Sequence, residues 1–222
     1  YNLAFSTPPP CSGGGLGKDT LMQQVQIARR TARGAEWTTP ESELFAERVV
    51  VLNGPIDSAV STLVIAQLRY LSRLGDDPIT LLVNSPGGFV SDGMAIIDYM
   101  CGLRAQVRTH ALGIAASMAA VILACGERGY RSAAPHADIL IHQPISGVNG
   151  QASDIEIAAR SIIKKKQMLV EVLAQATKRP LETVEAAIDR DTWFSAKEAV
   201  SFGLIDGVSN DLCVDEGFVD AC

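Results

Sequence analysis

Ala111-Leu-Gly-Ile-Ala-Ala-Ser117-Met-Ala-Ala-Val-Ile-Leu-Ala-Cys125 is an apolar run broken by a single hydroxyl. It is too short to span a bilayer. It reads as a short strand turning into a buried helix, with Ser117 at the turn. That arrangement points the hydroxyl out of the strand end and sets the helix's first N–H groups beside it, where they can hold an oxyanion. The small residues on either side let a substrate backbone come close. The competing interpretation is a core helix whose serine bonds its own backbone. One serine is not a triad, so the choice depends on the rest of the chain.

Working outward, the surrounding pattern is regular. Val49-Val50-Val51-Leu52 reads as a buried strand, broken by Gly54-Pro55, with Asp57 or Ser58 capping a helix to about Leu74. Ile79 to Val83 is the next strand. Ser85-Pro86-Gly87-Gly88 then turns the chain into a helix spanning about 91–103, and residues 107–111 form a third strand that leads to Ser117. Strands alternating with helices imply βαβ units, a parallel sheet and an α/β domain. Ile139-Leu140-Ile141 is a further short strand ending at His142. A long helix is expected over about 154–177, with Ser153 and Glu156 at capping-box spacing. Its apolar residues, among them Ile155, Ile162, Ile163 and Leu169, exceed one stripe, as in a helix that is buried or packs on another chain. Lys164-Lys165-Lys166 reads as a solvated stretch. Pro180 stops this helix, a shorter one runs to about Arg190, and Ser195-Ala-Lys-Glu198 is a second capping box opening the last helix, which ends at Gly203.

The chain divides by composition into an N-terminal extension (1–40), a regular domain (41–210) and a short acidic tail (211–222). Pro8-Pro9-Pro10 and Gly13-Gly14-Gly15 continue neither a helix nor a central strand. Residues 21–33 suit a short helix carrying Arg29, Arg30 and Arg33, either a partner contact or a loosely ordered extension. The chain opens on Tyr1 rather than Met, which implies processing or a preceding stretch of chain. With 222 residues, 47% of them hydrophobic, there is material for one substantial core. The net charge of -6 argues against a general nucleic-acid or membrane-surface role. The five cysteines, Cys11, Cys101, Cys125, Cys213 and Cys222, are odd in number and lack CxxC spacing, which suggests neither a disulfide framework nor a zinc site. Cys101 and Cys125 read as core residues of a protein kept in a reducing compartment.

Three histidines compete as proton partner for Ser117. His110 is a strand residue and His136 lies in a loop, whereas His142 stands at the end of an apolar strand, where ligands collect in α/β folds. A neutral imidazole there can take a hydroxyl proton near pH 7; a satisfied structural histidine is the alternative. Asp191, in a break between two helices, could orient that imidazole or be a surface charge paired with Arg190.

Taken together and in order, Ser85-Pro86-Gly87-Gly88, Gly113-Ile-Ala-Ala-Ser117-Met118, Ile141-His142-Gln143-Pro144, Arg190-Asp191, Ser195-Ala-Lys-Glu-Ala and Gly203-Leu-Ile-Asp resemble the proteolytic subunit of the Clp protease, ClpP, over residues 43–208. The resemblance implies Ser117 as nucleophile, His142 as general base, Asp191 as orienting acid, and the backbone N–H groups of Gly88 and Met118 as oxyanion hole. Gly at 88 is expected to keep a Cβ out of the substrate's way. The implied fold is the ClpP/crotonase-type spiral of ββα units, with helix 154–177 as the protruding handle. The implied assembly is two stacked seven-membered rings of ClpP-type subunits. A AAA+ unfoldase would feed it unfolded polypeptides, with no cofactor, metal, nucleic acid or membrane involved.

The sequence departs from the family's usual pattern before Glu41, at Thr80 and Leu82 in place of docking tyrosines, at Ala186-Ala187 in place of an Arg-Asp pair, and at Ser146 in place of a glycine. These departures suit a specialised paralogue in a mixed ring, as in plastids. That places it in the chloroplast stroma, with the bacterial cytoplasm and mitochondrial matrix as alternatives. Two other functions fit less well: a non-catalytic ring subunit, which would have lost part of the triad, and an enoyl-CoA hydratase or isomerase, which shares the fold but works with carboxylates.

Overall fold

The computed structural model describes residues 26–31, 34–211 and 218. Two compact units are present, Tyr1–Val49 and Val50–Cys222. In the first, strands β1 (Ile27–Thr31) and β2 (Gly34–Thr38) form an antiparallel hairpin. The helix expected over 21–33 is therefore corrected: residues 27–31 of its described part are a strand, because the β-branched and aromatic side chains of Ile27, Trp37 and Thr38 suit a pleated ribbon. Arg33 lies outside the described residues. Helix α1 (Pro40–Ala46) follows, with Thr39 Oγ1 accepting from the Ser42 N–H at 3.2 Å and Pro40 in its first turn, where no donor is lost.

The second unit is an α/β fold on a mostly parallel sheet. It takes in β3 (Val49–Asn53), α2 (Ser58–Leu74), β4 (Ile79–Ser85), α3 (Val90–Cys101), β5 (Val107–Ala116), α4 (Met118–Ala124), β6 (Arg131–Ala133), β7 (Asp138–Ile141), α5 (Ala152–Thr177), α6 (Leu181–Ile188), β8 (Thr192–Ser195), α7 (Ala196–Phe202) and β9 (Gly207–Val208). The strand order is β3-β4-β5-β6-β9, with β7 also paired to β5 and β8 antiparallel to β7. Strand β3 is an edge strand. Its Val51 is exposed, so it is covered on one face rather than wholly buried as the apolar run suggests. Asp57 caps α2 through Val60 N–H at 2.9 Å.

The third strand is longer than its expected span, and its extra length builds the site. Its first half, Thr109 to Ala111, pairs with β6; its second half, Ile114 to Ala116, pairs with β7. Opposite β4, Val83 pairs with Ala111 but Ser85 with Ala115, so β5 carries a bulge. Gly113 sits in it at φ 68°, a conformation that suits a residue without Cβ. The bulge lets one strand change partners and carries it on to Ser117.

Helix α4 is buried along its whole length. Arg131, 2% exposed, holds this region together: its Nε donates to Asp206 Oδ2 at 2.9 Å, and its Nη1 donates to Ala124 O and Ala176 O at 3.0 and 2.9 Å, near the C-terminal ends of α4 and α5. Burial alone would raise the Asp206 carboxyl, but the hydrogen bonds and charge of Arg131 outweigh it and hold it below the usual carboxylate range.

Helix α5 begins at Ala152 with Gln151 as its N-cap and no side-chain cap bond, so the Ser153–Glu156 capping box does not form: Ser153 is already inside the helix. The second box does form, with Ser195 Oγ and the Glu198 carboxylate each bonding the other's backbone. Only the C-terminal part of α5 is buried, through Leu169, Val170, Leu173 and Thr177, while Ile155, Ile157 and Ile163 are exposed. Cys101 is exposed, which corrects its expected place in the core; Cys125 is largely covered, and burial pushes its thiol up to about 12. The other three cysteines lie outside the described residues, as does all of the acidic tail but Asp211 and Phe218. Among the described residues no helix is long and apolar enough to cross a membrane.

Candidate active site

Ser117 ends β5 and caps α4 with φ 55° and ψ -123°, a backbone setting that an L-residue adopts only under constraint. The constraint is visible on both sides. Its N–H donates to Leu140 O of β7 at 2.8 Å, and its carbonyl accepts from the Ala120 and Val121 N–H groups at 3.1 and 3.3 Å. Behind it, Gly87 takes φ 91°, and a Cβ there would lie 2.6 Å from Ala116 O and 2.7 Å from Ser117 Cβ. Gly93 of α3 leaves room for the Met118 side chain, since a Cβ on Gly93 would lie 2.2 Å from Met118 Cγ. The sharp turn leaves the hydroxyl at the strand end rather than bonded back into the helix.

His142 follows β7 directly, so the β5–β7 pairing carries it to the serine: its Nε2 lies 2.8 Å from Ser117 Oγ. The antiparallel pairing of β7 with β8 matches Ile141 to Thr192, which sets Asp191 opposite His142. His142 Nδ1 lies 3.0 Å from Asp191 Oδ1. Gln143 strengthens this arrangement: its N–H donates to Ile188 O at 2.6 Å and its Nε2 to Asp189 O at 2.8 Å. Of the alternatives open in the sequence, Asp191 therefore meets the imidazole, and Arg190 stands 3.8 Å from Asp189 instead. The acceptor at Asp191 fixes the ring as Nδ1–H, which leaves Nε2 to accept from the serine O–H. His110 is buried elsewhere on Ser132 Oγ at 2.8 Å.

Gly88 lines the same cleft as Ser117, and Met118 follows the serine directly in the chain. Met118 is the first residue of α4, so its N–H has no carbonyl a turn earlier in the helix. Gly88 forms a parallel bridge with Ile56, in which the bonds run from Ile56 N–H to Gly87 O and from Phe89 N–H to Ile56 O, both 2.9 Å. The amide of Gly88 itself faces away from Ile56. A Cβ on Gly88 would lie 2.1 Å from Ile56 O. Close backbone packing against Ile56 is therefore one reason for glycine at this position.

A cleft of about 420 Å³ opens at this point, lined by Gly88, Ser117 and His142 and, among others, by Phe89, Leu140, Ile145 and Ile162. Sequence reasoning missed two features that matter. Strand β8 is only four residues long, and the Thr192-Trp193-Phe194 run is the sole signal for it. Lys165, read as part of a solvated lysine run, lines the cleft.

A serine held on a strained strand-to-helix turn, with imidazole and carboxylate in line behind it, defines an arrangement suited to acyl transfer by a serine hydrolase. A family model described as Clp protease matches residues 32–211. The chain belongs to the Clp protease family, a family of ClpP-type serine peptidases whose members work as ring oligomers with Clp unfoldases.

Proposed function

We propose that this chain is a catalytically competent proteolytic subunit of a Clp protease, cleaving unfolded polypeptides with Ser117, His142 and Asp191. The observation that carries the reading is the chain of contacts from Ser117 Oγ through His142 to Asp191, 2.8 and 3.0 Å. Ser117 Oγ attacks the scissile carbonyl while His142 Nε2 takes its proton. Asp191 keeps the imidazole in the Nδ1–H tautomer and stabilises it once it is charged. The carbonyl oxygen, negative in the tetrahedral intermediate, accepts from the Gly88 and Met118 N–H groups. Collapse expels the amine, which receives the proton from His142. A water activated by the same imidazole then releases the acyl group from Ser117.

The assembly is proposed as two stacked heptameric rings, entered by chains that a AAA+ unfoldase delivers. Support comes from α5, whose Ile155, Ile157 and Ile163 are left exposed by its own chain. The reading also covers a mixed ring, as expected for a plastid-type paralogue in the chloroplast stroma. Ala186 and Ala187 offer Arg190 no charge, and Arg190 is 91% exposed. Thr80 and Leu82 are buried in β4 and supply no surface tyrosines. A non-catalytic ring subunit is disfavoured, since all three triad side chains are retained and aligned.

The test is labelling of the assembled ring with a fluorophosphonate. One adduct per subunit is expected on Ser117, and none in Ser117→Ala. Labelling that persists in the alanine variant refutes the nucleophile assignment. Native mass spectrometry of the complex from its source then reads which subunits share the ring.

A further inference from the structure

We propose that Lys165 makes the substrate cleft select an acidic side chain, glutamate before aspartate, on the residue whose carbonyl is cleaved. The proposal rests on the reading of Ser117 as nucleophile. The cleft is lined by Ser117 and His142 and by the apolar Leu140, Ile145 and Ile162. One side chain that is cationic at neutral pH lines it, Lys165, three residues from Ile162 on the same face of α5. The neighbouring Lys166 is turned toward α6, where its Nζ lies 3.2 Å from Glu185 Oε1. Lys165 takes part in none of the ion pairs among the described residues. The lysine run is therefore not uniform. One member pairs with its own chain, while another lines the cleft that holds Ser117 and His142.

The chemistry follows from that placement. A long aliphatic stem lies easily along an apolar wall while its charged head seeks an anion. A carboxylate entering the cleft can pair with that head, which stays exposed to solvent, so the attraction is modest and salt-sensitive. Glutamate reaches further than aspartate and keeps its methylenes against the apolar walls. Glutamine has the same shape without the charge, so the Glu:Gln ratio isolates the ammonium's contribution from simple fit.

The test uses the assembled ring and three internally quenched peptides identical except for Glu, Gln or Leu before the scissile bond. Wild type is expected to give kcat/KM for Glu about two- to fivefold above Gln, the scale of an exposed ion pair. The ratio should fall to near one in Lys165→Met, persist in Lys165→Arg, and shrink in 1 M salt. An unchanged ratio in Lys165→Met overturns the proposal. Since Lys165 is exposed, neither variant threatens the fold. A second measurement separates this idea from the one it rests on: fluorescence anisotropy of labelled peptides ending in Glu-amide or Gln-amide, bound to Ser117→Ala with and without Lys165→Met. If wild type cleaves none of the peptides, the nucleophile reading falls, and anisotropy alone decides. A Glu-amide preference that needs Lys165 upholds the proposal, and its absence overturns it.

Discussion

Asp206→Ala offers the most direct test of how the scaffold beneath the site is held. Asp206 accepts from the Gly129 and Arg131 N–H groups at 2.8 and 3.0 Å and from the Arg131 guanidinium at two positions. Its removal leaves a guanidinium that is 2% exposed with two backbone carbonyls and no counter-charge. Breaking a buried pair from one side costs about 3–5 kcal/mol, because the remaining charge is stranded. For a chain of this size each kcal/mol shifts Tm by roughly 2–4 °C, so a drop of roughly 6–20 °C is expected. Thermal unfolding followed by circular dichroism reads it. The double variant Arg131→Met with Asp206→Leu should recover much of the loss, since it removes both charges and keeps the volume.

The pH dependence gives a second reading of the same pair. The Asp206 carboxyl titrates lower in the folded chain than in the unfolded one. Its contribution is therefore complete above the unfolded value of about 3.9 and is lost as the pH falls through the folded value. The stability gap between wild type and Asp206→Asn should be flat from pH 7 to 5 and narrow below about pH 4. A loss under about 1 kcal/mol at pH 7, or a gap unchanged at pH 3, would show that water reaches the pair and that the burial argument is wrong.

Asp191→Asn should leave the ring assembled but slow peptide hydrolysis by as much as ~10⁴-fold, because the imidazole tautomer is then wrong; steady-state kinetics beside native mass spectrometry checks both halves. Gly88→Ala must push a Cβ into the Ile56 carbonyl. It should cost about 1–3 kcal/mol in thermal unfolding and slow fluorophosphonate labelling of Ser117. Burial holds the His110 imidazole below its ordinary value, with Asp211 pulling weakly the other way. Unfolding thus takes up a proton, and stability should decline as the pH falls below about 6.5. His110→Gln should flatten that part of the curve, as urea titrations at pH 7 and 5.5 would report.

Apart from the short strands β6, β8 and β9, the order of strands and helices in the second unit was legible in the sequence, because apolar periodicity and the Gly, Pro and Asp punctuation act locally. Asp57 capping α2 and the Ser195–Glu198 box are sequence-close contacts, and both form as read. So did the placing of Ser117 between a strand and a helix, since a hydroxyl amid fourteen apolar or small neighbours has few other places to sit. The errors arose where a local signal competed with a nonlocal partner. Residues 27–31 have a helix-compatible composition but pair with 34–38 as a hairpin. Ser153 has cap spacing, yet α5 starts two residues before the expected 154, with Gln151 as its N-cap. The close approach of Gly88 to Ile56, thirty-two residues away, gives no local signal at all.

By itself the sequence determined the residue types needed for the chemistry and the family in which they occur together. Only the tertiary structure decided that they meet. Asp191 is placed by a four-residue strand whose register is set by β7, and His142 by a bulge in β5 that lets the strand leave β6 for β7. Strand register depends on hydrogen bonds between segments far apart in the chain, which no local window contains. The same holds for the lysines: 164, 165 and 166 are equivalent as letters. The helix phase and a glutamate on α6 make one of them half of an ion pair and another a lining residue of the cleft beside Ser117.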